Sequence, residues 1–243
     1  LNALAEDQMV RLRTALDSPD RDEHGQPVAG ARSWFAKNRG DCFYFGRYTG
    51  RTPVPGRPSK AKQQDLEAVE RRLRRQARGV ARDFRLRFQF PNLDQVSGEQ
   101  WNRWSMQATP PDILITNYSM LNIMLMRSIE GPIFQATRDW LRQDSRNVFH
   151  LIVDELHSYR GTGGTEIALL IRLLLDRLGL QPDSPQVRFL ASSASFSKAK
   201  GRRFLTQFFG VHDDQFEIVE SPTVTTNPDS LATIRKYTSS FAA

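Results

Sequence analysis

The chain has 243 residues, 39% hydrophobic and 25% charged, with a formal net charge of +7. That composition supports a packed core, and the positive balance favours an anionic partner, nucleic acid before membrane, since no apolar stretch approaches the roughly 20 residues of a spanning helix. The single cysteine, Cys42, excludes an intrachain disulfide framework or a cysteine-based zinc cluster, and four scattered histidines show no metal-ligand spacing.

The chain begins at Leu1 rather than an initiator methionine and has no signal peptide, so it reads as a cytoplasmic piece of something longer. Leu1, Leu4, Ala5, Met9, Leu12 and Leu16 recur at helical spacing. Residues Ser18 to Ala31 are rich in Asp, Pro and Gly and read as a loop, and Trp34 and Phe35 start a short aromatic element. From Cys42 to Pro58 the sequence reads as a strand followed by a basic loop punctuated by Gly and Pro. Arg47, Arg51 and Arg57 are interleaved there with Tyr44, Phe45 and Tyr48. The mixture suits phosphate contacts with base stacking, and equally a strand edge with solvated arginines.

Lys60 to Arg87 carries ten basic residues against four acids, most of the chain's imbalance. Leu66, Val69, Leu73, Ala77, Val80 and Phe84 recur every three or four residues, which predicts an amphipathic helix. Phe84, Leu86, Phe88 and Phe90 then alternate, as in a strand. A basic face of this kind is a solvated surface or a docking face for nucleic acid or a partner. Leu93 to Pro111 is polar and reads as the return from an insertion.

Beyond Asp112 the pattern becomes regular. Asp112 to Asn117 predicts a short buried strand, Tyr118 to Arg127 a helix with core methionines, and Ile133 to Arg142 a second helix. Val148 to His157, VFHLIVDELH, runs an apolar strand into two adjacent carboxylates. Ser158 to Thr165 holds three glycines and reads as a loop, and Glu166 to Leu178 predicts a buried helix stopped by Gly179. Val187 to Ala191 predicts a third buried strand, running into Ser192, Ser193, Ala194 and Ser195. Arg202 to Phe209 reads as a helix ended by Gly210, Phe216 to Val219 as a last strand, and Ser221 to Ala243 as a linker or tail.

Strands alternating with helices imply a parallel sheet, and ligand chemistry then sits beyond the carboxyl ends of its strands. Asp154 and Glu155 fall there. One such acid can hold a magnesium ion and the other can orient an attacking water, although a bare pair also suits a strand ending in solvated acids.

Taken in order, these strand ends resemble the first motor domain of superfamily 2 helicases of the DExH-box kind. Asp154 to His157 (DELH) resembles motif II, and Ser193-Ala194-Ser195 resembles motif III, with Ser195 in place of the usual Thr. Thr116 to Leu121 resembles motif Ib, Asn2 to Gln8 (NALAEDQ) motif Ia, and Arg47 to Thr52 the segment between them. The longer strings look closest to DISARM-type anti-phage helicases and to related DExH repair helicases. The resemblance implies an α/β fold: a RecA-like parallel sheet sandwiched by helices over residues 1–220, with a basic helical insertion at about 53–104 and a tail at 221–243.

It further implies ATP and Mg2+ as cofactors. Asp154 would bind the metal, Glu155 would activate water, and His157 would link the nucleotide to Ser193 and Ser195. Asn2, Arg47, Thr49, Thr116 and Asn117 would line a nucleic-acid groove, for DNA rather than RNA. The partners implied are the remaining motor domain of the same polypeptide and other subunits of a defence system, with no membrane. The departure is the missing G-x-x-x-x-G-K-[ST] phosphate loop, which appears nowhere in the chain. The chain alone is therefore expected to hydrolyse ATP poorly. A non-catalytic nucleic-acid-binding scaffold is the rival reading, and a nuclease is disfavoured because no further acidic cluster appears.

Overall fold

The computed structural model describes residues 2–17, 34–35, 37–38, 40, 43–80, 89–93, 97–159, 161–194 and 198–219. Helix α1 (Asn2–Leu16) buries Met9 and Arg13. It is followed by β1 (Phe45–Tyr48), the basic helix α2 (Lys60–Val80), the two-residue strand β2 (Glu99–Gln100) and α3 (Arg103–Ala108). Next come β3 (Ile113–Thr116), α4 (Tyr118–Met126) and α5 (Gly131–Gln143), then β4 (Phe149–Val153), α6 (Gly161–Leu178), β5 (Val187–Ala191) and α7 (Lys198–Phe209).

Among the described residues all strand pairing is parallel, as helices between successive strands require. It falls into two ladders rather than the expected single sheet. The first has the order β2-β1-β3, with Phe45 opposite both Glu99 and Ile113 and Tyr48 opposite Thr116; the second is β4-β5, with Phe149 opposite Val187 and Val153 opposite Ala191. The alternation of strands and helices dictates their direction but not which strands become neighbours. The second ladder also departs from a sheet covered on both faces. Phe149, Leu151, Val153 and Phe189 pack against the core, whereas Ile152 is 69% and Leu190 50% exposed.

Local chemistry sets the element ends. Asn102 and Asn117 cap α3 and α4 by accepting from the amides of Ser105 (3.0 Å) and Met120 (2.9 Å). The Gln186 amide lies 2.8, 3.1 and 3.0 Å from the carbonyls of Leu141, Asp144 and Asn147, closing the end of α5 onto the start of β5. Gly179 ends α6 in the left-handed conformation, and the Leu180 amide reaches back to the Leu175 carbonyl at 2.9 Å. The core joins Met120 and Met124 of α4, Phe134 and Leu141 of α5, Ile171 and Leu175 of α6, and Phe208 and Phe209 of α7.

The first ladder is held by buried polar groups. Arg13 makes two 2.8 Å hydrogen bonds to the Glu99 carboxylate, with side chains only 3% and 2% exposed. Tyr48 donates to the fully buried Glu130 carboxylate at 2.8 Å, and burial followed by that bond pushes its pKa up to about 12. Gly46 is required by contact, since a Cβ there would sit 2.7 Å from both the Gln100 carbonyl oxygen and the Met106 sulfur.

Several expectations change. The polar stretch before Pro111 contributes β2 and α3 to the fold and does not simply return from an insertion. Helix α6 begins at Gly161, inside the expected glycine loop, and Phe216 to Val219 is not a strand: Phe216 packs on Phe209 at 6.3 Å without a ladder partner. The expectations for Ser18 to Ala31, Phe84 to Phe88 and Ser221 to Ala243 lie outside the described residues.

Candidate functional site

The carboxyl ends of β4 and β5 meet at Asp154 and Ser192. Ser192 hydrogen-bonds to the Val153 carbonyl through its amide (3.1 Å) and accepts the Leu156 amide with its own carbonyl (2.9 Å), so the two strand ends turn outward together. The Ser192 hydroxyl donates to Asp154 Oδ1. Glu155 adopts φ 53 and ψ 46, a left-handed conformation that costs a non-glycine residue roughly 1–2 kcal/mol. Its amide is held by Asp154 Oδ1 at 3.1 Å and the Ser192 hydroxyl at 3.2 Å. The turn leaves the Glu155 carboxylate half exposed, with Oε2 3.2 Å from His157 Nδ1. That approach is off the hydrogen-bond direction, so Nδ1 has no aligned partner among the described residues. The buried Ser193 hydroxyl is also without one.

Ser192 and Tyr159 are the residues that sequence reasoning missed. The sequence points to Ser193 and Ser195 instead, although the pairing of Val153 with Ala191, continued by one residue, sets Ser192 beside Asp154. Burial raises the Tyr159 pKa, with smaller contributions from Tyr118 and Asp154. Its ring meets Tyr118 edge-on at 6.5 Å and stacks on Phe208 at 6.5 Å. Tyr118 follows Asn117 directly, so this ring contact links the strand ends of the two ladders. Ser195 lies outside the described residues.

Four of the five expected nucleic-acid residues, Arg47, Thr49, Thr116 and Asn117, fall at the carboxyl end of the first ladder, where Tyr48 and Thr116 are in register. Arg47 pairs with Glu6 of α1, which also accepts from Arg13 at 3.2 Å. The Thr116 hydroxyl donates to the Tyr48 carbonyl at 2.8 Å, and the Asn117 side chain serves as the α4 cap. Thr49 is only 1% exposed: its carbonyl accepts from Arg103 at 2.8 Å, and its amide donates to the Thr52 hydroxyl at 2.9 Å. It has no surface to offer a ligand, because the turn after β1 folds over it. Phe45 and Tyr48 are likewise core residues rather than stacking platforms, whereas Tyr44 is exposed. Asn2 starts α1, and its side chain lies outside the described set.

Among the described residues no group of three or more His, Cys, Asp or Glu gathers as a metal cluster. A cation here would rest on the Asp154 carboxylate, waters and groups supplied by a ligand. That donor set suits Mg2+, which keeps several waters and takes one or two carboxylates. The partnerless Ser193 hydroxyl and His157 nitrogen at the same strand ends are polar atoms that a bound ligand and its waters would satisfy.

The fold and site thus define an α/β protein with parallel strands and an acid pair at their carboxyl ends. No family model matches the chain. The chain is similar to Druantia protein DruE of Escherichia coli (strain UMEA 4076-1), at 31% identity over 288 aligned residues, covering 100% of this chain and 15% of that protein. It therefore spans a small part of the curated relative it matches. Among solved structures, the crystal structure of the DUF1998 helicase MrfA covers 86% of this chain and 28% of its own, at 18% identity and a TM-score of 0.39. No helix among the described residues is long and apolar enough to cross a membrane.

Proposed function

We propose that this chain is part of a RecA-like motor domain in an ATP-dependent nucleic-acid helicase or translocase, working on DNA in bacterial anti-phage defence. The observation that carries this reading is the turn after β4. Asp154 is fixed by the neighbouring strand through Ser192, and Glu155 is held in a costly left-handed conformation that turns its carboxylate outward. A solvated strand end gives no reason to keep such a conformation, whereas strained residues held by their surroundings cluster at functional sites. The similarity to DruE along the whole chain supports placing it beside the corresponding part of that protein.

Magnesium-bound ATP, when present, supplies the bond to be cleaved and the cation that offsets its charge. Asp154 holds the cation, and the Glu155 carboxylate orients and deprotonates water. His157 and Ser193, each with an unsatisfied polar atom, together with Ser195 respond to the state of the nucleotide. Tyr159 and Tyr118 carry that response to the end of the first ladder, where Arg47 and Asn117 face nucleic acid. The rest of the motor belongs to the same polypeptide, and further defence subunits are its partners. The test is ATP turnover by the full-length protein with and without DNA. DNA-stimulated turnover that falls at least about 100-fold in Glu155→Gln is expected. A wild-type protein that binds DNA but neither binds nor hydrolyses ATP overturns the proposal in favour of a non-catalytic scaffold.

A further inference from the structure

We infer that the outward face of α2 is a second nucleic-acid contact, a strip of arginines that takes the sugar-phosphate backbone. This rests on the nucleic-acid reading above and names a site outside the strand ends. Helix α2 carries seven basic residues and three acids in 21 positions. Leu66, Val69, Leu73 and Ala77 form its half-buried inward stripe, and Arg71, Arg75 and Arg78 lie exposed on the opposite side. At 1.5 Å per residue those three span about 10 Å, the length of about three phosphates along one strand of a duplex.

A merely solvated helix face interleaves its signs. Here Glu67 and Glu70 are taken by Arg71 (3.7 Å) and Arg74 (2.9 Å), and among the described residues Lys60, Arg72, Arg75 and Arg78 have no partner. Arg71 and Arg75, Arg74 and Arg78, Arg72 and Arg75, and Arg75 and Arg78 are like-charged neighbours three or four residues apart, which repel. A polyanion relieves that repulsion.

The helix is also mounted rather than loose. The Trp104 indole donates to the Gly56 carbonyl at 2.8 Å ahead of it, and Arg74 donates to the Leu93 carbonyl at 3.0 Å midway. The loop that leads into α2 starts at the carboxyl end of β1 and carries exposed Arg51 and Arg57, so the basic surface begins where Arg47 stands.

The experiment measures the affinity of the full-length protein for a fluorescein-labelled DNA duplex across a salt series. It compares wild type, the triple variant Arg71→Gln/Arg75→Gln/Arg78→Gln and a charge-matched control, Arg142→Gln/Arg188→Gln/Arg203→Gln. The α2 variant is expected to lose two to three units from the slope of log affinity against log salt, at about 0.9 per phosphate contact, with the control unchanged. Circular dichroism checks that the helix remains. An α2 variant with the wild-type slope, or a control that loses as much, overturns the α2 assignment while leaving the nucleic-acid reading in place. A wild-type protein with no DNA affinity at low salt overturns both. Tighter binding to polyglutamate than to DNA overturns the assignment in favour of an acidic protein partner.

Discussion

Removing one member of the Arg13–Glu99 pair should cost more than almost any other single change in the chain. The two side chains are 3% and 2% exposed and share two 2.8 Å hydrogen bonds across 86 residues of sequence. Arg13→Met leaves the Glu99 carboxylate buried without its cation, while the Asn92 amide still donates to it at 3.2 Å. Breaking a buried pair in this way costs about 3–5 kcal/mol, a large fraction of the roughly 5–15 kcal/mol that holds a domain together. Replacing both residues, Arg13→Met with Glu99→Met, removes the stranded charge as well, so the double variant should be more stable than either single one. The resulting coupling energy is at least about 3 kcal/mol. Arg11 and Asp7 form the internal control: they pair at 2.9 Å on the surface of the same helix, with side chains 71% and 53% exposed, and should couple by less than about 1 kcal/mol. Urea denaturation followed by circular dichroism supplies both cycles. If Arg13→Met costs under 1 kcal/mol, or if the two cycles agree, the pair is solvated and the docking of α1 on β2 is wrong.

Tyr48 should make the fold sensitive to alkali. Its pKa is raised by burial, then by Glu130, to about 12, so below pH 10 its contribution is complete. Between pH 10 and 12 the unfolded chain loses the phenolic proton while the folded chain keeps it, and roughly 2–3 kcal/mol drains away. Tyr48→Phe should flatten the fall in denaturation midpoint over that window, and an unchanged pH slope would count against the buried phenol. Gly46→Ala should destabilise by about 1–3 kcal/mol, because the new methyl group meets Gln100 and Met106 at 2.7 Å; a melting temperature equal to wild type would refute that packing. Glu155→Gly should stabilise the fold by about 0.5–1 kcal/mol while abolishing turnover, since glycine adopts the left-handed conformation freely. A destabilised Glu155→Gly variant would mean that the conformation is not strained.

The regular half of the chain was legible because its signals are local. The apolar run into Asp154 and the stop at Gly179 each depend on residues within a few positions of one another. What escaped depends on contacts between distant residues. Glu99 and Gln100 read as polar loop, and Arg13, 86 residues away in sequence, neutralises Glu99 inside the sheet. The glycines after Tyr159 read as loop, yet Gly164 is a close-approach position in α6: a Cβ there would lie 2.3 Å from the Tyr159 carbonyl oxygen. The acid pair was found from its strand end. Ser192 was not, because its role appears only once β4 and β5 are placed side by side. Thr49 looked like a strand-end ligand contact and became buried because Arg103, 54 residues on, takes its carbonyl.

The central claim is a division of labour between two adjacent acids, and nucleotide binding tests it most directly. In the full-length protein, fluorescent ATP binding is titrated with and without Mg2+ for wild type, Asp154→Asn and Glu155→Gln. Glu155→Gln should bind Mg-ATP like wild type and fail to turn it over. Asp154→Asn should lose the magnesium dependence of binding. Equal, wild-type behaviour of both variants in binding and in turnover would contradict the account and return the pair to two solvated carboxylates at the end of a strand.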